Sequence, residues 1–541
     1  MEEATSSGVQ DRYNLGAFKP VEELGSGSFG DVIGESAGRP NRGLSRLGEC
    51  AADRPGPELV ITLLEGAIMR KAQMKVKSRG KAKSKAVQWN KQSSLLEQIN
   101  FDAAGIDVGS REHYVAVPAE RDPQPVRCFG TFTSDLEALA EWLRQCGVET
   151  VAMESTGVYW IPVFQILESR GFEVLLVNAR QVKNVSGRKS DVSDCQWLQQ
   201  LHSYGLLAAS FRPAAQVCVL RSYLRHREHL VEQASTQIQL MQKALGQMNV
   251  QLHHVLSDVT GVTGMAILDA ILAGERDPLK LAQLKDPRVR SSVETIAKAL
   301  TGDYRAEHLF VLKQARESFR FLQTQIAACD VEVEKVLSGW EAKVDLEQQP
   351  LPPTRKKNRS QSKHKPLPFN LREQLYRVTG VDLTEVDGLD VLSVQALISE
   401  IGLNMHRWPT EKHFASWLGL CPDHRISGGQ VLHNRTRPVI NRAADVLRMA
   451  AQSLKDSQSA LGAFFRRLKA RLGPAKAITA TAHKLARIVY QLLKYRQNYV
   501  DPGAQYYEQR YRDNVVKSLK KRAASLGYTL IENAALNLQV S

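Results

Sequence analysis

Between Phe101 and Val177, short apolar runs alternate with stretches of helical spacing, and this alternation predicts the first folded region. Ala104–Gly109 followed by Glu112–Val117 predicts a strand, a tight turn and a returning strand. Asp135–Gln145 has helical spacing, and Glu149–Glu154 is a second apolar strand that ends on an acid. Ile161–Arg170 then predicts a helix and Glu173–Val177 a third buried strand. Strands alternating with helices over short connections predict an α/β layer, a mixed or parallel sheet covered by helices.

Beyond a helix expected to open near Asp191, the pattern changes. Leu220, Leu224, Arg227, Val231, Ala234, Ile238, Met241, Leu245, Met248, Leu252 and Val255 recur at alternating steps of four and three, with Arg227 as the one polar interruption. Leu312, Ala315, Phe319, Leu322, Ile326, Cys329, Val333 and Val336 do the same. Sustained spacing of about 3.5 residues predicts coiled-coil seams, formed by two long helices packed on each other or on a second protomer. Gly261–Pro278 between them predicts a small helical cap. After the Pro-rich segment Pro350–Pro368, glycine turns at Gly380 and Gly388 bracket short helices, Leu392–Ile401 is amphipathic, and Arg442–Tyr499 is helical.

The flanks and the charge narrow the partner. Lys and Arg exceed Asp and Glu by a formal +15 over 541 residues, a balance that favours a polyanion, because cations displace counterions from nucleic acid. Arg70–Lys91 holds nine of those cations and no acid, and Arg355, Lys356, Lys357, Arg359, Lys363 and Lys365 form a second acid-free cluster. Both read as tethers with affinity for nucleic-acid backbone. Residues 1–69 contain Leu24-Gly25-Ser26-Gly27-Ser28-Phe29-Gly30-Asp31-Val32, which looks like the glycine-rich loop of a protein kinase. No Val-Ala-Ile-Lys strand, His-Arg-Asp or Asp-Phe-Gly follows, so the match reads as chance in an appended segment. The seven cysteines form no Cys-x-x-Cys and no zinc spacing, and read as reduced thiols. No signal peptide opens the chain and no run of about 18 apolar residues could span a membrane.

Four acids carry the candidate chemistry. Asp107 and Glu154 stand at the ends of expected strands, while Asp191 and Asp194, three residues apart, share one face of an expected helix. Carboxylates on rigid elements suit Mg2+, and two such ions can clamp the attacking and leaving oxygens of a phosphoryl transfer. Acids near strand ends are also common, and the helix dipole favours an N-terminal Asp, so the residue types leave the site open. Ser427 precedes Gly428 and Gly429 and is close in sequence to Arg425, Arg435, Arg437, His424 and His433. A hydroxyl held among cations could attack phosphorus, or Ser-Gly-Gly is simply a turn. Tyr490, the rival nucleophile, has the spacing of a core residue.

These residues resemble a known family. Gly105-Ile106-Asp107-Val108-Gly109, Met153-Glu154-Ser155-Thr156-Gly157 and Lys189-Ser190-Asp191-Val192-Ser193-Asp194 resemble the acidic motifs of the DEDD transposases of the insertion-sequence-110 family. Thr260–Gly264, Gly274–Pro278 and Ile426–Gly429 look like its insertion-sequence-1111 branch. The similarity runs from about Phe101 to Tyr499 and omits roughly the first hundred residues. One departure is Cys195, where Ala is expected after Asp194, and the linker at 350–368 is longer than the family requires.

The resemblance implies an α/β plus α architecture: a RuvC-type, RNase H-like domain over 101–215, a coiled-coil region over 216–345 and a serine-bearing transposase domain over 371–500. Residues 1–100 form an atypical, disordered extension with a basic tether, 346–370 the basic linker and 501–541 a helical basic tail. It further implies Mg2+ bound by Asp107, Glu154, Asp191 and Asp194, attack on DNA by Ser427, and nucleic-acid contacts from Arg425, Arg435 and Arg437. The partners it implies are element-end and target DNA, a structured guide RNA, and further copies of the chain in a dimer or tetramer, in the bacterial cytoplasm at the nucleoid. Two rivals stay open: a RuvC-like nuclease that uses water as nucleophile, and a noncatalytic nucleic-acid-binding scaffold.

Overall fold

Strand β1 (Ala103–Val108) is the centre of a five-stranded sheet in the computed structural model, which describes residues 97–155, 157–178, 191–354 and 369–531. The kinase-like pattern at 24–32, the basic block at 70–91, Lys189, Ser190 and residues 355–368 of the basic linker lie outside the described residues. The chain divides into two compact units after Arg212.

In the first unit the strands are β1, β2 (Glu112–Ala116), β3 (Val126–Gly130), β4 (Thr150–Glu154) and β5 (Glu173–Val177). Their order across the sheet is β3-β2-β1-β4-β5. β2 runs antiparallel to both β1 and β3, whereas β1, β4 and β5 are parallel. The hairpin β1–β2 and the parallel β4 and β5 follow the hydrophobic pattern. The edge strand β3 does not, since only intermediate and exposed residues compose it.

Helices α1 (Thr133–Gln145) and α2 (Trp160–Ser169) bury Leu139, Leu143, Val163 and Leu167 in one core with Ala104, Ile106 and Val108 of β1. Side chains alternate along a strand, so Ala103, Gly105 and Asp107 point to the opposite face. Helix α3 (Asp191–Ser203) covers that face. It is held there by Gln199, whose Nε2 donates to Ala103 O at 3.3 Å, and by His202, whose Nε2 lies 2.8 Å from Thr150 Oγ1. Burial pushes the His202 imidazole below its ordinary pKa, so it is neutral at pH 7.

The second unit begins with α4 (Ala215–Gln247). Four short helices follow, α5 (Leu252–Val255), α6 (Val262–Leu272), α7 (Pro278–Gln283) and α8 (Val293–Ala299), and then α9 (Ala306–Ser338). α4 and α9 pack against each other as antiparallel partners. Asp303 N donates to Met248 O at 2.9 Å at one end, and Arg227 Nε meets Asp330 Oδ1 at 2.6 Å toward the other. The apolar positions from Ala234 to Leu245 and from Leu312 to Cys329 fill the core between them. The polar interruption at Arg227 is thereby neutralised across the seam.

Helices α10 (Leu371–Thr379), α11 (Val391–Ile401) and α12 (Glu411–Trp417) precede a two-stranded hairpin, β6 (Pro422–Ser427) and β7 (Gln430–Thr436). They are followed by α13 (Arg442–Ser453), α14 (Ala460–Leu472), α15 (Pro474–Tyr495) and α16 (Gly503–Ser525). Arg221 of α4 donates to the last carbonyls of α11, Ser399 O at 3.0 Å and Glu400 O at 2.8 Å, so a cation caps that helix end.

Candidate active site

Two of the four expected acids share one face of the sheet, and a third, Asp194, stands on the helix that covers that face. β1 and β4 are parallel neighbours with Ile106 beside Met153, which brings the next residues, Asp107 and Glu154, side by side where the strands end. Ile106 and Met153 lie in the core under α1 and α2, so Asp107 and Glu154 point to the side that α3 covers. Both are half-buried.

Gly105 decides how close α3 comes. A methyl group there would collide with Gln199 N and Cys195 O, so only a residue without Cβ admits this approach. Cys195 is buried against that point, and Asp194 is the residue before it. Burial pushes the Cys195 thiol up to about 12, and the charges of Asp107 and Asp194 push in the same direction. Asp107 on the sheet and Asp194 on the helix are thus both within electrostatic reach of one sulfur. The thiol is neutral and donates to Val192 O at 3.2 Å.

Carboxylates of like charge on one face repel each other, and a divalent cation with oxygen ligands would relieve the repulsion. The donor set therefore fits Mg2+ in kind. Among the described residues, no three His, Cys, Asp or Glu side chains stand close enough together to hold an ion. The side chain of Asp191, on the first turn of α3, lies outside the described residues.

Ser427 ends β6 at the tip of the hairpin. Ser427 pairs with Gln430 across the two-residue turn Gly428-Gly429. Both glycines have positive φ, +56° and +77°, as a type I′ turn requires. Cross-strand partners share a face; Asp423 and Arg425 lie at even steps from Ser427 on β6, and the one extra residue on β7 keeps their partners Arg435 and His433 in the same alternation. Ser427, Arg425, His433 and Arg435 therefore share one side of the hairpin. Arg425 is exposed and pairs with Asp423 at 3.2 Å, and His433 Nδ1 lies 3.1 Å from Asp423 O.

Arg437, expected among the nucleic-acid contacts, donates to Ser416 O at 2.9 Å and Ser416 Oγ at 3.1 Å, and so also ties the hairpin base to the end of α12. Gly419, at φ +67°, leaves room for Val439 as the chain returns. Aromatic rings cluster around α12. Trp408, Phe414 and Trp417 lie within 6.1 Å of one another by ring centroid, and the buried Tyr490 OH donates to Trp408 O at 2.7 Å. Tyr490 is thus a core residue.

The glycine and charged residues at 261–278 build turns. A Cβ at Gly264 would collide with Val259 O, Glu275 Oε1 accepts from Arg276 N and Asp277 N at 2.8 Å, and Asp277 caps α7 by accepting from Leu279 N. Sequence reasoning missed the strands on either side of Ser427. Their signal was present in two glycines flanked by the β-branched Ile426 and Val431.

Residues 104–250 match the DEDD_Tnp_IS110 model, which describes a transposase, and residues 382–466 match the model described as Transposase IS116/IS110/IS902 family. No curated protein matches the chain. The first model spans Asp107, Glu154, Asp191 and Asp194, and the second spans Ser427. Both describe transposases, so the chain is a DNA transposase or recombinase. No helix among the described residues is long and apolar enough to cross a membrane.

Proposed function

We propose that this chain is a site-specific recombinase of the insertion-sequence-110 type, insertion-sequence-1111 branch. In this reading Ser427 attacks a phosphate of the element end, and the acids at the edge of an RNase H-like, RuvC-type sheet take part through a divalent ion. The observation that carries the reading is the common face of Asp107 and Glu154, set by the parallel register of β1 with β4, beneath the helix that bears Asp194 and that Gly105 lets come close. The strand order with one antiparallel hairpin beside three parallel strands supports the sheet assignment.

Asp107, Glu154, Asp191 and Asp194 would hold Mg2+. When bound, it would neutralise phosphate charge and stabilise the attacking and leaving oxygens. On the hairpin, Arg425 and Arg435 bind and orient the phosphate on the face that Ser427 shares. Attack forms the Oγ–P bond as one P–O bond of the strand breaks, and the leaving oxygen takes up a proton. His433 directs Nδ1 to the Asp423 carbonyl, so its Nε2 is free to accept the hydroxyl proton on that face. Guidance by a structured RNA of the element, and a dimer or tetramer in which acids and serine come from different protomers, belong to the same proposal. The basic segments at 70–91 and 355–365 would serve as its backbone-binding tethers.

The test incubates the full chain with magnesium, RNA from the element's noncoding flank and labelled element-end DNA, followed by a denaturing gel. The reading predicts a covalent protein–DNA adduct that is lost in Ser427→Ala, Asp107→Ala and Asp191→Asn while DNA affinity persists. Cleavage that survives Ser427→Ala would point to a nuclease using water, and binding without cleavage under all conditions to a scaffold.

A further inference from the structure

At its tip, the side of the hairpin opposite Ser427 is apolar. Ile426 and Val431 are cross-strand partners one step from the Ser427–Gln430 pair, so they point away from the serine face. Ile426 is 63% exposed, Val431 57% and Leu432 69%. The register shifts between Arg425 and Ile426: Arg425 pairs with His433 and Ile426 with Val431, which leaves Leu432 as the unpaired extra residue of a bulge. Bulges bend a strand and re-aim a side chain.

The two strands make a sheet of their own, so among the described residues both outer edges of the hairpin are unpaired. A two-stranded hairpin is marginal in water, and three large apolar side chains at its tip add to the cost unless a partner covers them. The partner must accept apolar groups and cations together, because Arg425 and Arg435 occupy the same two strands. A DNA duplex does both. Its phosphates take the cations, its groove admits a two-stranded ribbon, and its base steps open to apolar wedges.

We propose that Ile426, Val431 and Leu432 form a wedge that enters the base stack of DNA beside the phosphate held by the serine face, and keeps that step unstacked. The location of the step rests on the reading of Ser427 as nucleophile; the wedge itself does not. Ile426, Val431 and Leu432 are positioning residues: they hold the strand bent at the phosphate and touch no reacting atom. A duplex that is already unpaired at the step needs no wedge, so it distinguishes this role from a merely structural one.

The test uses the full chain carrying Ser427→Ala, so that no strand is cut, with magnesium, flank RNA and element-end duplexes in which 2-aminopurine is placed at successive positions of the protected segment. Fluorescence is expected to rise at one step on binding. Ile426→Ser together with Leu432→Ser should abolish the rise while leaving the salt dependence of binding unchanged, and Ile426→Leu should preserve it. With Ser427 restored, the double variant should cut a fully paired end poorly and an end mismatched at that step as well as the parent does. No rise at any position, a rise that persists in the double variant, or a change in the oligomeric state of the DNA-free protein would overturn the proposal, the last by showing that the apolar face meets another copy. Unstacking without a covalent adduct at Ser427 would leave the wedge standing and remove the nucleophile.

Discussion

At Gly105 the missing side chain determines where α3 lies, and through it where Asp194 stands relative to Asp107. The sequence placed the four acids on strand ends and one helical face because acids that close apolar runs are visible locally. It gave no reason for the glycine two residues before Asp107, since the atoms that exclude a side chain there, Gln199 N and Cys195 O, are some ninety residues away in the chain. Gly105→Ala is expected to destabilise the first unit by about 1–3 kcal/mol, the usual cost of overpacking. It should also lower strand cleavage well beyond any loss of folded protein, because the helix acid moves from the sheet acids. Thermal melting read beside cleavage per folded molecule checks this; unchanged cleavage would remove α3 from the site. Cys195 behaves as a small buried hydrophobe with a neutral thiol, which explains why a thiol is tolerated where the resemblance leads one to expect alanine.

Among the elements, α4 and α9 were the most legible, because thirty-odd residues of steady spacing leave little freedom of assignment. Arg227 was visible as a break in the seam, but its partner was not, since Asp330 lies between the apolar positions Cys329 and Val333 and belongs to neither. The structure buries Asp330 almost completely against Arg227. Asp330→Ala should therefore cost about 3–5 kcal/mol by leaving a cation without its partner, whereas Arg227→Met combined with Asp330→Leu should be close to neutral. Denaturant midpoints of the two variants check this; equal loss in both would mean the helices depend on the charge itself. β3 escaped the sequence reading because an edge strand of five residues with no fully buried position carries no alternation. The hairpin at Ser427 escaped it because exposed apolar residues on both strands mimic a loop in composition, and only the two-glycine turn marks it.

Taken as a whole, the molecule carries the candidate acids and the candidate serine on two different compact units. The acids sit on a sheet built from residues 103–177 and on α3, and the serine stands at the tip of a hairpin whose base Arg437 ties to the end of α12. The net charge of +15 gives the chain as a whole a reason to gather on nucleic acid, and it predicts that affinity falls steeply with salt. The central claim is that Ser427 becomes covalently joined to DNA, and trypsin offers a direct reading of it. Cleavage after Arg425 and Arg435 releases Ile426–Arg435, in which Ser427 is the one hydroxyl side chain. After reaction with magnesium, flank RNA and element-end DNA, followed by nuclease and trypsin digestion, mass spectrometry should find this peptide carrying nucleotide phosphate in the parent protein and unmodified in Asp107→Ala. A nucleotide on any other peptide, or cut DNA with Ile426–Arg435 unmodified, would contradict the account.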